Sequence, residues 1–143
     1  MRFFLDNNLS PHFAKALNSL SGPQECSVCH LADVFPERNI PDDQWLSELS
    51  AQGDWVVVSG DMRIFKSPHL KQIWIESKLT TFFLAKGWMH QKFWDQAWWL
   101  VRWWPEIMQQ AQIVEPGTGY EVPAKPHGKF RILNPSPERP RSD

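Results

Sequence analysis

Two apolar runs that each end on an aspartate decide the fold of this chain: Phe3-Phe4-Leu5-Asp6 and Val56-Val57-Val58-Ser59-Gly60-Asp61. Both runs are short, rich in β-branched or aromatic residues and free of polar alternation, which is typical of strands covered on both faces of a parallel sheet. The carboxyl ends of parallel strands meet at one edge, where open α/β sheets bind their ligands. The sequence therefore predicts that Asp6 and Asp61 lie at one sheet edge and form part of a cation site.

Strand and helix signals alternate along the rest of the chain. Ser10-Pro11 predicts a helix start, because serine is a favoured N-cap and proline fits the first helical position. Further strands are predicted at about residues 25–31 and at 80–85, and another helix is predicted to begin at Asp42. This alternation predicts an α/β three-layer sandwich, in which helices cover both faces of a mainly parallel, twisted sheet.

The last part of the chain has a different composition. A Trp-rich helix is predicted over residues 91–110, and Pro105 is expected to kink or split it. We assign residues 1–115 to the α/β domain and residues 116–143 to a C-terminal extension, whose glycines and prolines exclude a long regular element. Within the extension, residues 129–133 could form an edge strand, and the chain is expected to be mobile from about residue 134.

Composition and charge narrow the class of protein. The 143 residues include 15 basic and 16 acidic side chains, for a net charge of -1, so any basic groove for nucleic acid must be local. No signal-peptide pattern and no membrane-spanning apolar run is found, which predicts a soluble, cytoplasmic protein without membrane contact.

The aspartates differ in how readily a structural role explains them. An aspartate after a strand often caps the next helix, but Ser10 already supplies that cap, so Asp6 is left for function. Asp61 follows Gly60, although it could also cap a short turn. Asp42 and Asp43 open a helix, where the helix dipole favours acids with or without catalysis.

Electrostatics favours a cation at this edge. Two carboxylates about 5 Å apart at an effective dielectric of about 20 repel by on the order of 3 kcal/mol, and a bound cation would offset that cost. Oxygen ligands suit Mg²⁺ or Mn²⁺ rather than zinc. One or two such ions on phosphate oxygens would polarise the phosphorus and lower the pKa of an attacking water. The chemistry that follows is phosphodiester hydrolysis.

Several stretches in order resemble the PIN-like domains, specifically a small bacterial group akin to the toxin of virulence-associated toxin–antitoxin pairs. The stretches are Phe4-Leu5-Asp6-Asn7-Asn8-Leu9-Ser10-Pro11, Pro41-Asp42-Asp43-Gln44-Trp45 and Val57-Val58-Ser59-Gly60-Asp61. Phe82-Phe83-Leu84-Ala85-Lys86-Gly87-Trp88, the Trp-rich helix and Gly119-Tyr120-Glu121-Val122-Pro123 look like that group too.

The resemblance implies a parallel sheet and a Mg²⁺- or Mn²⁺-dependent ribonuclease. By motif position it carries the catalytic and metal-ligand roles onto Asp6, Asp42 and Asp61, with Asn7 and Asp43 assisting as metal ligands. Related proteins often have an acid where Asn7 stands, and only Asp95 and Glu106 are candidates for a further acid in the later helix. Asn7 could ligate through its amide oxygen. The implied partners are an RNA substrate and an antitoxin protein.

Other features leave alternatives open. Arg63 and Lys86 are the preferred substrate-binding residues: Arg63 lies two residues after Asp61 and its planar fork suits phosphate, and Lys86 is one of several cations that could line a phosphate-binding edge or simply be solvated. Six of the nine tryptophans lie in the segment from Trp88 to Trp104. They could form a bulky core, a homodimer or antitoxin interface, or a stacking surface for RNA bases. Cys26-Ser27-Val28-Cys29-His30 spells a haem-attachment pattern, but buried free cysteines explain it better.

Two rival functions come from these residues. One is a non-catalytic PIN-like module that binds RNA or a protein partner without cleavage, because Asn7 adds no charge to the acid set. The other is a receiver-like phosphoacceptor, suggested by Asp61 after a central strand and Lys86 after a later one.

Overall fold

Apolar runs form the strands, and helices alternate with them, in the computed structural model of the protein. The model describes residues 1–37 and 39–133, and these ranges contain six strands and six α-helices. The strands are β1 (Arg2–Leu5), β2 (Ser27–His30), β3 (Trp55–Ser59), β4 (Thr80–Leu84), β5 (Gly119–Val122) and β6 (Arg131–Leu133). The helices are α1 (Pro11–Ser21), α2 (Leu31–Val34), α3 (Asp42–Gln52), α4 (Arg63–Lys66), α5 (Pro68–Ser77) and α6 (Phe93–Ile113).

The strands form one sheet in the order β2-β1-β3-β4-β5-β6. Every neighbouring pair is parallel except the last, in which β6 runs antiparallel to β5 at the edge. The predicted α/β class with a mainly parallel sheet is confirmed. The predicted helix start at Ser10-Pro11 is confirmed as well, since the Ser10 hydroxyl caps α1 by accepting the His12 N–H at 3.1 Å.

Two apolar cores lie on opposite faces of the sheet. Alternate strand residues such as Phe3 and Val58 belong to the core beneath α1 and α6, whereas Phe4 and Val57 belong to the core beneath α2 to α5. Side chains alternate between faces along a strand, so strands with two covered faces are mainly apolar. The strands β3 and β4 are buried at every position, and only Ser59, Thr80 and Thr81 in them are polar. The predicted three layers are therefore present.

Strand order places a crevice between the ends of β1 and β3. From β1 the chain passes through α1 to β2 on one side, and it then returns to β3 on the other side of β1. Connections that leave two adjacent strands in opposite directions open a gap at their carboxyl ends, where ligands of α/β sheets bind. Leu5 pairs with Val58 in the register, so Asp6 and Ser59 are the next residues at that gap.

The chain after residue 115 continues the sheet. The sequence assigned residues 116–143 to an irregular extension, but Gly119–Val122 pair with β4 as an internal parallel strand. The edge strand expected near residues 129–133 is found at Arg131–Leu133. The predicted mobile stretch from about residue 134 lies outside the described residues. Pro105 lies inside α6 and does not split it.

None of the helices in residues 1–37 and 39–133 has both the length and the apolar character needed to cross a membrane.

Replacement of Gly119 by alanine should destabilise the fold. A Cβ at Gly119 would lie 2.6 Å from a ring carbon of Trp74, and that ring is fixed because its N–H bonds Leu79 and Thr81. Overpacking of this kind costs about 1–3 kcal/mol. Urea unfolding should show that loss for Gly119→Ala and none for the matched Gly22→Ala, where no atom lies within 4 Å. Equal stability of the two variants would contradict the packing described here.

Candidate functional site

The crevice between β1 and β3 opens into a polar pocket of about 220 Å³. Three of the four sequence-predicted aspartates line it: Asp6 after β1, Asp42 at the first turn of α3 and Asp61 after β3. The predicted ligand Asn7 lines it too, as do Asn8 and Arg63. Tertiary structure thus brings together acids that are far apart in the chain, which the strand-end pattern predicted for Asp6 and Asp61. Their roles as ligands remain predictions.

Asp6 is the buried acid of the pocket, with 3% of its surface exposed. Its Oδ1 accepts the backbone N–H groups of Asn8 and Gly60, both at 3.2 Å, and its Oδ2 accepts the Ser59 hydroxyl. Burial raises the pKa of Asp6 to about 6, although these hydrogen bonds to the ionised form act in the opposite direction. The negative charge of Asp61 adds to the increase.

Ser59 connects the two strand-end acids. Its hydroxyl donates to Asp6 and accepts the backbone N–H of Asp61 at 3.0 Å. Ser59 was not predicted as a site residue, although its position between Val58 and the Gly60-Asp61 turn was a usable signal. This hydrogen-bonded chain fixes the spacing of the ends of β1 and β3.

Arg63 neutralises Asp61. The Arg63 Nε donates to Asp61 Oδ1 at 2.9 Å and to Oδ2 at 3.1 Å, while Nη2 donates to Oδ2 at 2.7 Å and the backbone N–H donates to Oδ1 at 2.9 Å. These hydrogen bonds lower the pKa of Asp61 below its ordinary value, against the effect of burial. The Asp61 side chain is 8% exposed and the Arg63 side chain is 81% exposed. Arg63, which was predicted to bind substrate, is therefore ion-paired with Asp61, which was predicted to bind metal.

The two aspartates at the start of α3 point to different neighbours. Asp42 Oδ1 accepts the indole N–H of Trp45 at 3.0 Å and still lines the pocket. The Asp43 carboxylate lies 4.0 Å from His69 and is not among the residues that line the pocket. Of the two, only Asp42 is placed to share a ligand with Asp6 and Asp61.

The donor set fits a hard divalent cation by type. Carboxylates and an amide oxygen are the ligands of Mg²⁺ and Mn²⁺, and the three aspartates with Asn7 supply them from one pocket. Over residues 1–37 and 39–133, no three His, Cys, Asp or Glu side chains are grouped closely enough to hold a metal ion. The Arg63 side chain is hydrogen-bonded to both oxygens of Asp61.

A basic cleft of about 300 Å³ adjoins the acid pocket and shares Asp61 and Arg63 with it. Lys66 at the end of α4, and Lys86 and His90 in the connection from β4 to α6, line the cleft. The predicted substrate residues Arg63 and Lys86 thus meet at one surface. His90 was not predicted as a site residue, because its place depends on the short 3-10 turn Trp88–His90.

Gly60 lets the wall of this cleft approach β3 closely. A Cβ at Gly60 would lie 2.8 Å from the Met89 sulfur and 3.0 Å from Asn8 Cβ.

His30 has a structural role beneath the acid pocket. Its buried ring donates from Nε2 to the Leu9 carbonyl at 2.7 Å, and Nδ1 accepts the Ala32 N–H at 3.0 Å. The Asp33 carboxylate accepts the His30 backbone N–H, which completes a capping box for α2. The haem-like pattern is therefore explained by packing: His30 holds the loop that carries Asp6, and Cys26 and Cys29 are free thiols.

The Trp-rich segment divides into core and surface. Trp88, Trp103 and Trp104 are buried, and each indole N–H has a hydrogen-bond acceptor. Trp94 and Trp98 are 80% and 57% exposed, one turn apart on α6. Together with the exposed Phe93 and Val101, they form an apolar surface that we call the α6 patch. Both the bulky-core interpretation and the surface interpretation thus hold for part of the segment.

Comparison with known proteins assigns the fold to a family. A family model described as a PIN-like domain matches residues 1–86, which span β1 to β4 and include the acid pocket and Lys86. The chain belongs to the PIN-like domain family. No curated protein and no solved structure gives a match. PIN-like domains are commonly nucleases and typically use divalent metals, which agrees with the type of donor set in the pocket.

The opposite pKa shifts of the two strand-end acids of this PIN-like domain should give opposite effects of substitution. The pKa of Asp6 is raised from 3.8 to about 6, so the folded protein keeps this proton over a pH range in which the unfolded chain loses it. The free energy of unfolding of the parent therefore falls as the pH rises through that range. Asp6→Asn should therefore gain unfolding free energy relative to the parent between about pH 4 and pH 8, by at most about 3 kcal/mol.

The pKa of Asp61 is lowered, so this carboxylate stabilises the folded protein at every pH above its ordinary pKa. That stabilisation is lost only as the pH falls below the ordinary pKa. Asp61→Asn should therefore be less stable than the parent throughout that range. Urea unfolding with a metal chelator, at about pH 4 and about pH 8, measures the difference in unfolding free energy between each variant and the parent. A gain for Asp6→Asn that does not grow with pH would contradict the raised pKa.

Proposed function

We propose that this protein is a metal-dependent ribonuclease that hydrolyses phosphodiester bonds, and that it is the toxin of a toxin–antitoxin pair. The observation that supports the nuclease proposal is the convergence of Asp6, Asp42 and Asp61 at the strand-end crevice of a PIN-like domain. A basic cleft beside these acids supports a polyanionic substrate.

In this proposal Asp6, Asp42 and Asp61 hold Mg²⁺ or Mn²⁺, and the amide oxygen of Asn7 assists. The cation, when bound, polarises the scissile phosphate and favours ionisation of the attacking water. Asp43 has no assigned part, because its carboxylate faces His69.

The chain's own residues bind and orient the RNA. Lys66, Lys86 and Arg63 place positive charge along the cleft that leads to the acids. Phosphate contacts of this kind set the position of a nucleic-acid strand without reading its sequence. The hydrogen bonds from Ser59 and Gly60 keep the Asp6 carboxylate in one orientation.

The second candidate function is binding of RNA or a protein partner without cleavage. It is favoured by the pairing of Arg63 with Asp61 and by the lack of a close three-ligand group over the described residues. A module of this kind should bind single-stranded RNA but show no Mn²⁺ binding by calorimetry.

Substitution of the acids should abolish RNA cleavage while the fold is retained. Loss of one carboxylate removes several kcal/mol of charge stabilisation from a metal-dependent transition state, so Asp6→Asn, Asp42→Asn and Asp61→Asn should each cut at least about 100-fold more slowly. Cleavage of single-stranded RNA in Mn²⁺ is the measurement, and a chelator should stop the parent. Asp54→Asn is the matched control, because Asp54 is exposed and precedes β3 at its other end. Variants that cut as fast as the parent would exclude the proposed site.

The α6 patch is proposed as a protein interface, because exposed tryptophans one helical turn apart are typical of interface hot spots. The simplest partner is a second copy of this chain.

Sedimentation equilibrium should show a dimer that becomes monomeric in Trp94→Gln/Trp98→Gln. The control variant Ile113→Gln should stay dimeric, because Ile113 is an exposed apolar residue at the far end of α6. A monomeric parent would contradict self-association and leave the antitoxin as the proposed partner.

A further inference from the structure

Arg63 lies at the boundary between the acid pocket and the basic cleft, and it lines both. We infer that Arg63 couples metal binding to RNA binding: it neutralises Asp61 in the metal-free protein and turns to an RNA phosphate in the cleft when a divalent cation takes Asp61. The inference rests on the proposed function and assigns to Arg63 a positioning role toward both ligands.

Arg63 and a cation would compete for the same oxygens of Asp61. The Arg63 side chain occupies both oxygens of Asp61 through Nε and Nη2, at 2.7–3.1 Å, and the Arg63 backbone N–H takes a further site on Oδ1. A carboxylate offers about four acceptor sites, so these bonds leave little room for a cation. Charge adds to the conflict, because a divalent cation on Asp61 would lie beside the guanidinium group. Cation binding therefore requires the side-chain bonds of Arg63 to break.

Arg63 can leave Asp61 and has another place to bind. Its side chain is 81% exposed, so no packing holds it against Asp61. The cleft on its other side already contains Lys66 and Lys86, whose like charges oppose a third cation there unless an anion is present. A phosphate supplies that anion, and the planar fork of an arginine matches two phosphate oxygens as well as it matches a carboxylate.

Thermodynamic linkage couples the two ligands. Each ligand removes Arg63 from Asp61, so the ligand that binds second no longer has to break that pair. Metal and RNA must then strengthen each other's binding by the same factor. An ion pair with one exposed partner is weak, so the expected coupling factor is about fivefold in affinity.

The test compares Arg63→Ala with Lys66→Ala. Both variants remove one positive charge from the cleft, but only Arg63 is bonded to Asp61. Mn²⁺ affinity is measured by calorimetry with and without a short single-stranded phosphorothioate RNA, whose integrity is checked on a gel. Arg63→Ala without RNA should bind Mn²⁺ about fivefold more tightly than Lys66→Ala does. At RNA concentrations that saturate each variant, the gain in Mn²⁺ affinity caused by RNA should be about fivefold smaller in Arg63→Ala than in the parent. In Lys66→Ala, which needs more RNA to reach saturation, that gain should equal the gain of the parent.

The outcomes separate this inference from the function beneath it. If the parent binds Mn²⁺ but Arg63→Ala binds it no more tightly than Lys66→Ala, the coupling role of Arg63 is wrong and the metal site stands. If neither the parent nor Arg63→Ala binds Mn²⁺, the proposed metal-dependent function fails, and the coupling role fails with it. Thermal unfolding of each variant confirms that it is folded, and Arg63→Gln replaces Arg63→Ala if the alanine variant is not.

Discussion

A chain of hydrogen bonds from the Asp61 N–H through the Ser59 hydroxyl to the Asp6 carboxylate joins the ends of β1 and β3. These hydrogen bonds hold Asp6 and Asp61 at the point where the connections of the sheet diverge, although two like charges there oppose folding. The protein meets that cost in two ways. Burial favours the neutral form of Asp6, whose pKa is raised to about 6, and Arg63 supplies a counter-charge to Asp61. The two acids thus differ in charge state and in the groups that stabilise them.

The fold gives each face of the site a separate support. His30 fixes the loop after β1 from the side of α2, and Met89 packs against Gly60 from the connection between β4 and α6. The helix α3 supplies Asp42 from the face of the sheet that α2 to α5 cover. There the ring centroids of Trp45 and Phe4 lie 5.0 Å apart, and the Trp45 indole N–H donates to Asp42. Because each acid is held by an element with its own core contacts, the pocket depends on all three layers rather than on one loop.

Several features were predictable because they follow from local physics. Apolar runs that end on Asp6 and Asp61 indicated covered parallel strands, and Ser10 indicated where α1 begins. The short strand β5 was not predicted, because four residues that begin with glycine and are followed by proline carry little local strand preference. Its conformation depends on pairing with β4, and Gly119 is required there because the Trp74 ring fills the space of a side chain.

The sequence by itself determined the fold class, the strands that end in acids and the family motifs, since each of these is written in short-range patterns of apolar and acidic residues. Only the tertiary structure decided which side chains meet: Arg63 on Asp61, Ser59 between the acids, and Lys66, Lys86 and His90 around one cleft. The physical reason is that a pairing distance depends on where two elements pack and which way their side chains turn. Neither property is fixed by the spacing of residues along the chain.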